Sequence, residues 1–204
     1  MSYKNVPSNL NAHIALPNIT LDWHKTPTMK ALFESKQNDK EVDLEHLKTR
    51  GVYISVYSVD AFSRPGYYAG TTGNIYNRTL HHARNIMAGN SFIPHEKNAR
   101  FDVAEYKRND NISDFANDAM FERLKKVMFS SYIFYALCDD MQICNGIERA
   151  LIKHIKDGES DNGYFSGNRG FRGCRNCPHE LLITNEGHNE IIDLLGAKLA
   201  FSPP

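Results

Sequence analysis

Short apolar runs that are rich in β-branched and aromatic residues mark the predicted strands of this chain. Residues 52–59 and 132–137 have this composition and predict two strands. A turn signal at residues 64–66 precedes a third run at 67–70, so residues 52–70 are expected to form a β-hairpin. A weaker pattern at residues 179–184 predicts one more short strand.

Helical periodicity separates these strands. It predicts helices over residues 74–87, about 113–128, about 145–155 and 189–199. The first of them has an apolar stripe at spacings of four, three and four, formed by Tyr76, Leu80, Ala83 and Met87. Arg78 and His82 are four residues apart and therefore share a face. That face is expected to point away from the apolar stripe.

Composition narrows the class of protein without deciding it. The chain has 204 residues, 41% of them hydrophobic and 24% charged, which favours a packed domain over wholesale disorder. No apolar run approaches the roughly 20 residues that span a bilayer, and the polar start does not resemble a signal peptide, so a cytoplasmic protein is expected. The net charge of zero argues mildly against a nonspecific nucleic-acid binder.

Glu148 stands out because of its position on the third predicted helix. Ile147, Leu151, Ile152 and Ile155 form the apolar stripe of that helix, and Glu148 falls inside the stripe at about 100° per residue. A carboxylate that faces a core must be paired, protonated or bound to a metal. A boundary residue paired with a local cation is the alternative.

Four further residues have side chains suited to phosphodiester chemistry. A guanidinium such as that of Arg78 matches phosphate oxygens with its fork of donors, and the imidazole of His82 can position or transfer a proton. Tyr53 and Tyr68 lie in the predicted hairpin. Tyrosines in such positions are more often core residues than catalysts, although a phenol beside cations can take a proton from water.

The order of these residues resembles the core of the GIY-YIG nuclease family. The first motif corresponds to Gly51-Val52-Tyr53 and the second to Tyr68-Ala69-Gly70. An arginine follows ten residues after the second tyrosine, a histidine four residues later, and Glu148 lies in a Glu-x-x-Leu-Ile setting. The resemblance covers roughly residues 51–164, with one large insertion.

The resemblance implies an α+β fold, with a small three-stranded antiparallel sheet flanked by helices. Residues 1–49 would then form an N-terminal extension, and residues 50–204 the nuclease domain. A helical insertion would occupy about residues 89–130.

The resemblance also implies in-line hydrolysis of DNA with one divalent metal, Mg²⁺ or Mn²⁺. Glu148 would hold the metal, Arg78 would bind the scissile phosphate, and Tyr53 would contact the nucleophilic water. Tyr68 and His82 would support that chemistry.

The chain departs from the family pattern at several positions. Val52 and Ala69 replace the two middle isoleucines, and Thr71 stands where some members have a lysine. The late asparagine of the family is assigned to Asn162 on its spacing from Glu148, with Asn168 as the second choice.

Two polar segments are candidates for DNA contact. The loop at residues 163–175 carries Arg169, Arg172 and Arg175 among glycines and aromatic residues, which suits groove contact and stacking. The basic residues within 89–111 offer a second surface. A solvated loop is the simpler interpretation of either.

The four cysteines allow a structural zinc site, although free thiols are the favoured interpretation. Cys174 and Cys177 have zinc-knuckle spacing, His179 is close to them in sequence, and Cys138 and Cys144 could complete a ligand set.

These patterns lead to three hypotheses. The first is a sequence-specific DNA endonuclease of the type II restriction kind, a hydrolase with DNA as its partner and no membrane. The second is a structure-directed repair or mobile-element nuclease. The third is a catalytically inactive nucleic-acid-binding module on the same fold. The sequence is compatible with a homo-oligomer in each case.

Overall fold

A computed structural model describes residues 18–37, 45–57, 65–87, 118–158, 165–166, 168 and 180–201. Its strands are β1 (Asn18–Lys25), β2 (Gly51–Tyr57), β3 (Gly66–Thr72), β4 (Tyr132–Leu137), β5 (Phe165–Ser166), β6 (Leu181–Gly187) and β7 (Lys198–Phe201). Its helices are α1 (Met29–Gln37), α2 (Ile75–Met87), α3 (Asp118–Ser130), α4 (Met141–Asp157) and α5 (Asn189–Leu195), with a short 3₁₀ helix at Glu45–Lys48.

The strands form one curled sheet in the order β5-β3-β2-β4-β1-β6-β7. The pairs β1–β6 and β3–β5 are parallel and the remaining pairs are antiparallel. The prediction of a small three-stranded antiparallel sheet is therefore wrong. The hairpin β2–β3 and strand β4 are only part of a mixed sheet of six strands, extended at one edge by the two-residue β5.

The larger sheet arises because β1 bridges its two halves. This strand lies within the predicted N-terminal extension, yet it pairs with β4 on one side and β6 on the other. Its sequence alternates Ile19, Leu21 and Trp23 with polar residues, and Leu21 and Trp23 are buried. The Trp23 indole N–H also donates to Asn185 Oδ1 at 2.9 Å. Asn18–Lys25 is thus integral to the sheet.

The end of the chain also differs from its prediction. The last helix ends at Leu195, and residues predicted to continue it form β7 instead. Gly196 has a φ of 76°, a conformation that favours glycine and ends helices. Leu199 and Phe201 then alternate into the core from the opposite edge of the sheet to β5.

The interior strand β2 is buried along its whole length because helices cover both faces of the sheet. Val52, Ile54 and Val56 belong to a core that includes residues of α4 and α5. Tyr53 and Tyr57 point the other way, into a core with residues of α1, α2 and α3. Within the described residues, no helix is long and apolar enough to cross a bilayer.

Candidate functional site

The hairpin β2–β3 places the Tyr53 phenol over a glycine. Tyr53 is opposite Gly70 in the antiparallel register, and a Cβ added at Gly70 would overlap the Tyr53 phenol. Gly51 meets a different limit, because a Cβ there would overlap the Ala136 carbonyl of β4. The two glycines of the motifs are therefore required by close approach, one of a side chain and one of a backbone.

Helix α2 brings Arg78 to the Tyr53 hydroxyl. Arg78 Nε donates to Tyr53 Oη at 2.6 Å, and the guanidinium carbon lies 5.6 Å from the centre of the Tyr53 ring. Arg78 is half-buried, so this contact fixes the inner part of the guanidinium. The N–H groups on its terminal nitrogens extend beyond the contact with Tyr53.

His82 lies deeper in the same cluster and bridges two tyrosines. Its Nε2 is 3.2 Å from Tyr53 Oη and its Nδ1 is 3.0 Å from Tyr57 Oη. Burial lowers the pKa of His82 to about 3, with further contributions from the charges of Arg78 and His81. The imidazole is therefore neutral at physiological pH.

The prediction that Arg78 and His82 face away from the apolar side of their helix is wrong for His82. The buried residues of α2 are Ile75, Thr79, His82, Ala83 and Ile86. This stripe is rotated from the one formed by Tyr76 and Leu80, both of which are partly exposed. An imidazole tolerates that position because each ring nitrogen meets a phenol hydroxyl.

Sequence reasoning did not identify Tyr57 as a site residue. Alternation along β2 puts Tyr53 and Tyr57 on one face, which was the available signal. Both phenols are buried, and burial raises the pKa of each well above its ordinary value. Tyr53 contacts Arg78 and His82 through its hydroxyl rather than facing solvent, which favours a positioning role.

Tyr68 is the more accessible phenol of the cluster. It is only half-buried, and it lies opposite Ser55 in the hairpin register. Its ring stacks on Tyr53 with centroids 6.3 Å apart and meets the His82 ring edge-on at 5.3 Å. The structure thus brings Tyr53, Tyr68, Arg78 and His82 together on the α2 face of the sheet.

Glu148 lies along the buried side of α4 and is itself partly buried. The buried residues of α4 are Cys144, Gly146, Ile147, Ala150, Leu151, Ile152 and Ile155, and Cys144 and Ile152 lie one turn on either side of Glu148. Its position on the helix is thus the one that the sequence predicts, and its carboxylate has a hydroxyl partner there. Glu148 Oε2 accepts a hydrogen bond from Thr71 Oγ1 at 3.1 Å, and Thr71 Oγ1 is also 3.5 Å from Asn145 Oδ1.

Strand β3 connects this carboxylate with the tyrosine cluster. Thr71 bonds Glu148, and its neighbour Gly70 faces Tyr53. Consecutive residues of a strand point to opposite faces, so the two groups lie on opposite sides of β3. A substrate that contacts both must bind at the end of this strand, around Gly70 and Thr71.

The oxygen atoms near Glu148 suit a hard divalent cation. Carboxylate, hydroxyl and amide oxygens are contributed by Glu148, Thr71 and Asn145, and Mg²⁺ prefers oxygen ligands completed by water and substrate phosphates. Among the residues that the structure describes, no three His, Cys, Asp or Glu side chains form a metal-binding group. The fit is therefore to a cation held by one carboxylate.

Asn168 secures the outer edge of β3 beside this point. Its side-chain amide accepts from Ala69 N and donates to Ala69 O, both at 2.9 Å, and the residue is buried. The Asn168 amide thus makes with Ala69 the two hydrogen bonds that the backbone of a neighbouring strand would make. Asn168 was the second choice for the late asparagine; the first choice, Asn162, lies outside the described residues.

Several predicted residues fall outside the part of the chain that the structure describes. They are Arg169, Arg172 and Arg175 of the proposed DNA-contact loop, and Cys174, Cys177 and His179 of the zinc hypothesis. Cys138 and Cys144 are described and are free thiols, with Cys144 Sγ donating to Cys138 O at 3.1 Å. Zinc binding stays a prediction.

No protein-family model, curated protein or solved structure matches this chain. The resemblance to GIY-YIG nucleases rests only on the order and spacing of the motif residues in the sequence.

Proposed function

We propose that this protein is a divalent-metal-dependent DNA endonuclease that hydrolyses phosphodiester bonds, with sequence specificity of the type II restriction kind. One observation supports the proposal above the others. A guanidinium and a partly exposed phenol contact Tyr53, which pairs with Gly70, while a carboxylate contacts Thr71, the next residue of β3, on the other face of the sheet. Phosphate binding, proton transfer and cation binding are the functions that hydrolysis of a phosphodiester needs.

In this mechanism Arg78 binds the scissile phosphate through N–H groups that Tyr53 does not engage. Glu148 would hold Mg²⁺ or Mn²⁺, and the cation would supply positive charge beside the phosphate. Tyr68 would take the proton of the attacking water while its own hydroxyl proton passes to solvent. Tyr53 and His82 act through Arg78, because their hydrogen bonds keep its guanidinium at the edge of the cluster.

One observation favours the alternative of a catalytically inactive nucleic-acid-binding module. Tyr53, to which the resemblance assigns the nucleophilic water, and His82, to which it assigns a supporting role, are both buried inside the fold. Such a module would keep Arg78 as a phosphate contact and would cleave nothing. A structure-directed nuclease differs from both in its choice of DNA.

Plasmid cleavage tests the proposal. The wild-type chain, with Mg²⁺ or Mn²⁺ and then with EDTA, is compared with Glu148→Gln and with Glu186→Gln, an exposed carboxylate of β6. We expect metal-dependent cleavage by wild type and Glu186→Gln, and loss of cleavage with retained DNA binding in Glu148→Gln. Near wild-type turnover by Glu148→Gln would remove the metal assignment.

The products separate the remaining alternatives. Discrete fragments from several plasmids indicate sequence specificity, whereas a smear indicates nonspecific cutting. Cleavage only of branched or flapped substrates would favour the structure-directed alternative. DNA binding by wild type without cleavage under any of these conditions would favour the inactive module.

A further inference from the structure

Two adjacent histidines of α2 lie in opposite environments. His82 is buried and both of its ring nitrogens contact tyrosine hydroxyls. His81 is exposed, and its Nδ1 lies 3.1 Å from Arg78 Nη1. Arg78 and His81 are three residues apart, so both side chains lie on one side of the helix at its exposed surface. His81 is therefore the imidazole beside the outer part of the guanidinium.

The contact between Arg78 and His81 determines which nitrogen of His81 carries the proton. An arginine has only donors, so Arg78 Nη1–H donates and His81 Nδ1 accepts. An imidazole with an unprotonated Nδ1 is neutral and carries its hydrogen on Nε2. With Nδ1 engaged by Arg78, His81 has its Nε2–H left as a hydrogen-bond donor.

We propose that His81 is a phosphate-binding residue that acts with Arg78 as a clamp on the DNA backbone. Arg78 contributes charge and the N–H groups left by Tyr53 and His81. His81 contributes the Nε2–H donor, which its bond to Arg78 orients before the phosphate arrives. This inference rests on the proposed function, because it assumes that DNA is the ligand. It assigns to His81 a contact that the resemblance does not give to any residue at this spacing.

A binding experiment in Ca²⁺ tests the clamp without depending on cleavage. The affinity of a labelled DNA duplex is measured over a range of salt concentrations for wild type, His81→Ala, His81→Gln and Arg78→Ala. Lys198→Ala and His24→Ala serve as controls, since Lys198 lies on the opposite edge strand and His24 is exposed on β1. Neither control should alter affinity.

We expect His81→Ala to weaken binding about tenfold, as loss of one hydrogen bond to a charged group does. Glutamine keeps a neutral N–H donor at similar reach, so His81→Gln should restore most of the affinity. His81→Ala should leave the slope of log K against log salt unchanged, whereas Arg78→Ala should reduce it by about one.

Three results would overturn the clamp while leaving the nuclease proposal intact. They are unchanged affinity in His81→Ala, a reduced salt slope in that variant, and no rescue by His81→Gln. Nitrogen-15 spectra of the free protein give an independent check, because they must show the hydrogen of His81 on Nε2. A wild-type chain that binds no DNA would instead overturn the proposed function.

Discussion

The two sides of β3 differ in how far their polar groups are committed to one another. On the α2 side, Tyr53, Tyr57 and His82 are buried and their hydroxyl and ring nitrogen atoms contact each other or Arg78. On the α4 side, Glu148, Thr71 and Asn145 are half-exposed. The first group is fixed by packing, and the second can accept a ligand.

This difference gives different roles to residues that belong to the same set of sequence motifs. A buried hydroxyl that already contacts two side chains is shielded from water, so it serves to hold its neighbours. A half-exposed group can meet a substrate directly. Arg78, Tyr68 and Glu148 are in that position, whereas Tyr53 and His82 support them from below.

Arg78 is bonded to the buried tyrosine on the α2 side and is itself partly exposed, so its removal should have the largest effect. We expect Arg78→Ala to slow cleavage about 10²–10³-fold, or roughly 3–4 kcal/mol, with a smaller change in binding. Arg78→Lys should not restore the rate, because a single ammonium nitrogen lacks the planar fork that directs separate N–H groups to Tyr53 and to a phosphate. Single-turnover rates give the comparison, with the exposed Arg84→Ala as control. A change confined to affinity would make Arg78 a positioning contact only.

Substitution of the two motif tyrosines should change different properties of the protein, the cleavage rate for Tyr68 and the stability for Tyr53. Tyr68→Phe should lower the cleavage rate about a hundredfold with unchanged stability, as loss of a proton acceptor does. Tyr53→Phe should lower the free energy of unfolding by about 1–3 kcal/mol, since Arg78 Nε and His82 Nε2 lose their partner. Its rate should fall less, by about tenfold. Rates and urea unfolding of both variants decide this.

The reverse outcome for the phenols would favour the assignment that the resemblance implies. A Tyr53→Phe variant of normal stability that cannot cleave, beside a Tyr68→Phe variant that cleaves normally, would return water activation to Tyr53. The cluster would then have to open when DNA binds.

Substitution of Gly70 tests how tightly the buried residues on the α2 side of β3 are packed. A Cβ at Gly70 would overlap the Tyr53 phenol, whereas a Cβ at Gly73 meets nothing within 4 Å. We expect Gly70→Ala to destabilise the protein by about 1–3 kcal/mol through overpacking, and Gly73→Ala to have little effect. Urea unfolding measures both. Equal stability of the two variants would show that Tyr53 can move away from β3.

Local pattern was enough to predict the elements that carry the site. Residues 132–137 form β4, and the predicted helix at 74–87 becomes α2. The pairing of strands that lie far apart in the chain could not be predicted from local pattern. Strand β1 pairs with β6, more than 150 residues away in the chain, and nothing local selects that partner, although the alternation of Ile19, Leu21 and Trp23 marks β1 as a strand.

The roles of the site residues depend on rotations that a sequence fixes only loosely. The buried stripe of α2 contains a histidine and a threonine, so a purely apolar stripe pointed to the wrong face. On α4 the stripe does contain Glu148, but the pattern could not show that Thr71 would be its partner. Only the tertiary contacts reveal the tyrosine and threonine partners of these two polar residues.

The pH dependence of stability tests whether His82, on the buried α2 side, stays unprotonated in the folded protein. The pKa of His82 is lowered to about 3 in the folded state, against 6.5 for an ordinary histidine. Between these values the unfolded chain binds a proton that the folded chain does not, so the free energy of unfolding falls as pH falls. The expected slope is about 1.4 kcal/mol per pH unit, or roughly 2 kcal/mol between pH 6.5 and 5. His82→Gln lacks this contribution, and above pH 6.5 the difference between the two proteins should be constant. Urea unfolding from pH 8 to pH 5 measures this difference.

Parallel stability curves for wild type and His82→Gln would mean that His82 accepts a proton in the folded state, and that the α2 side is as open to solvent as the α4 side.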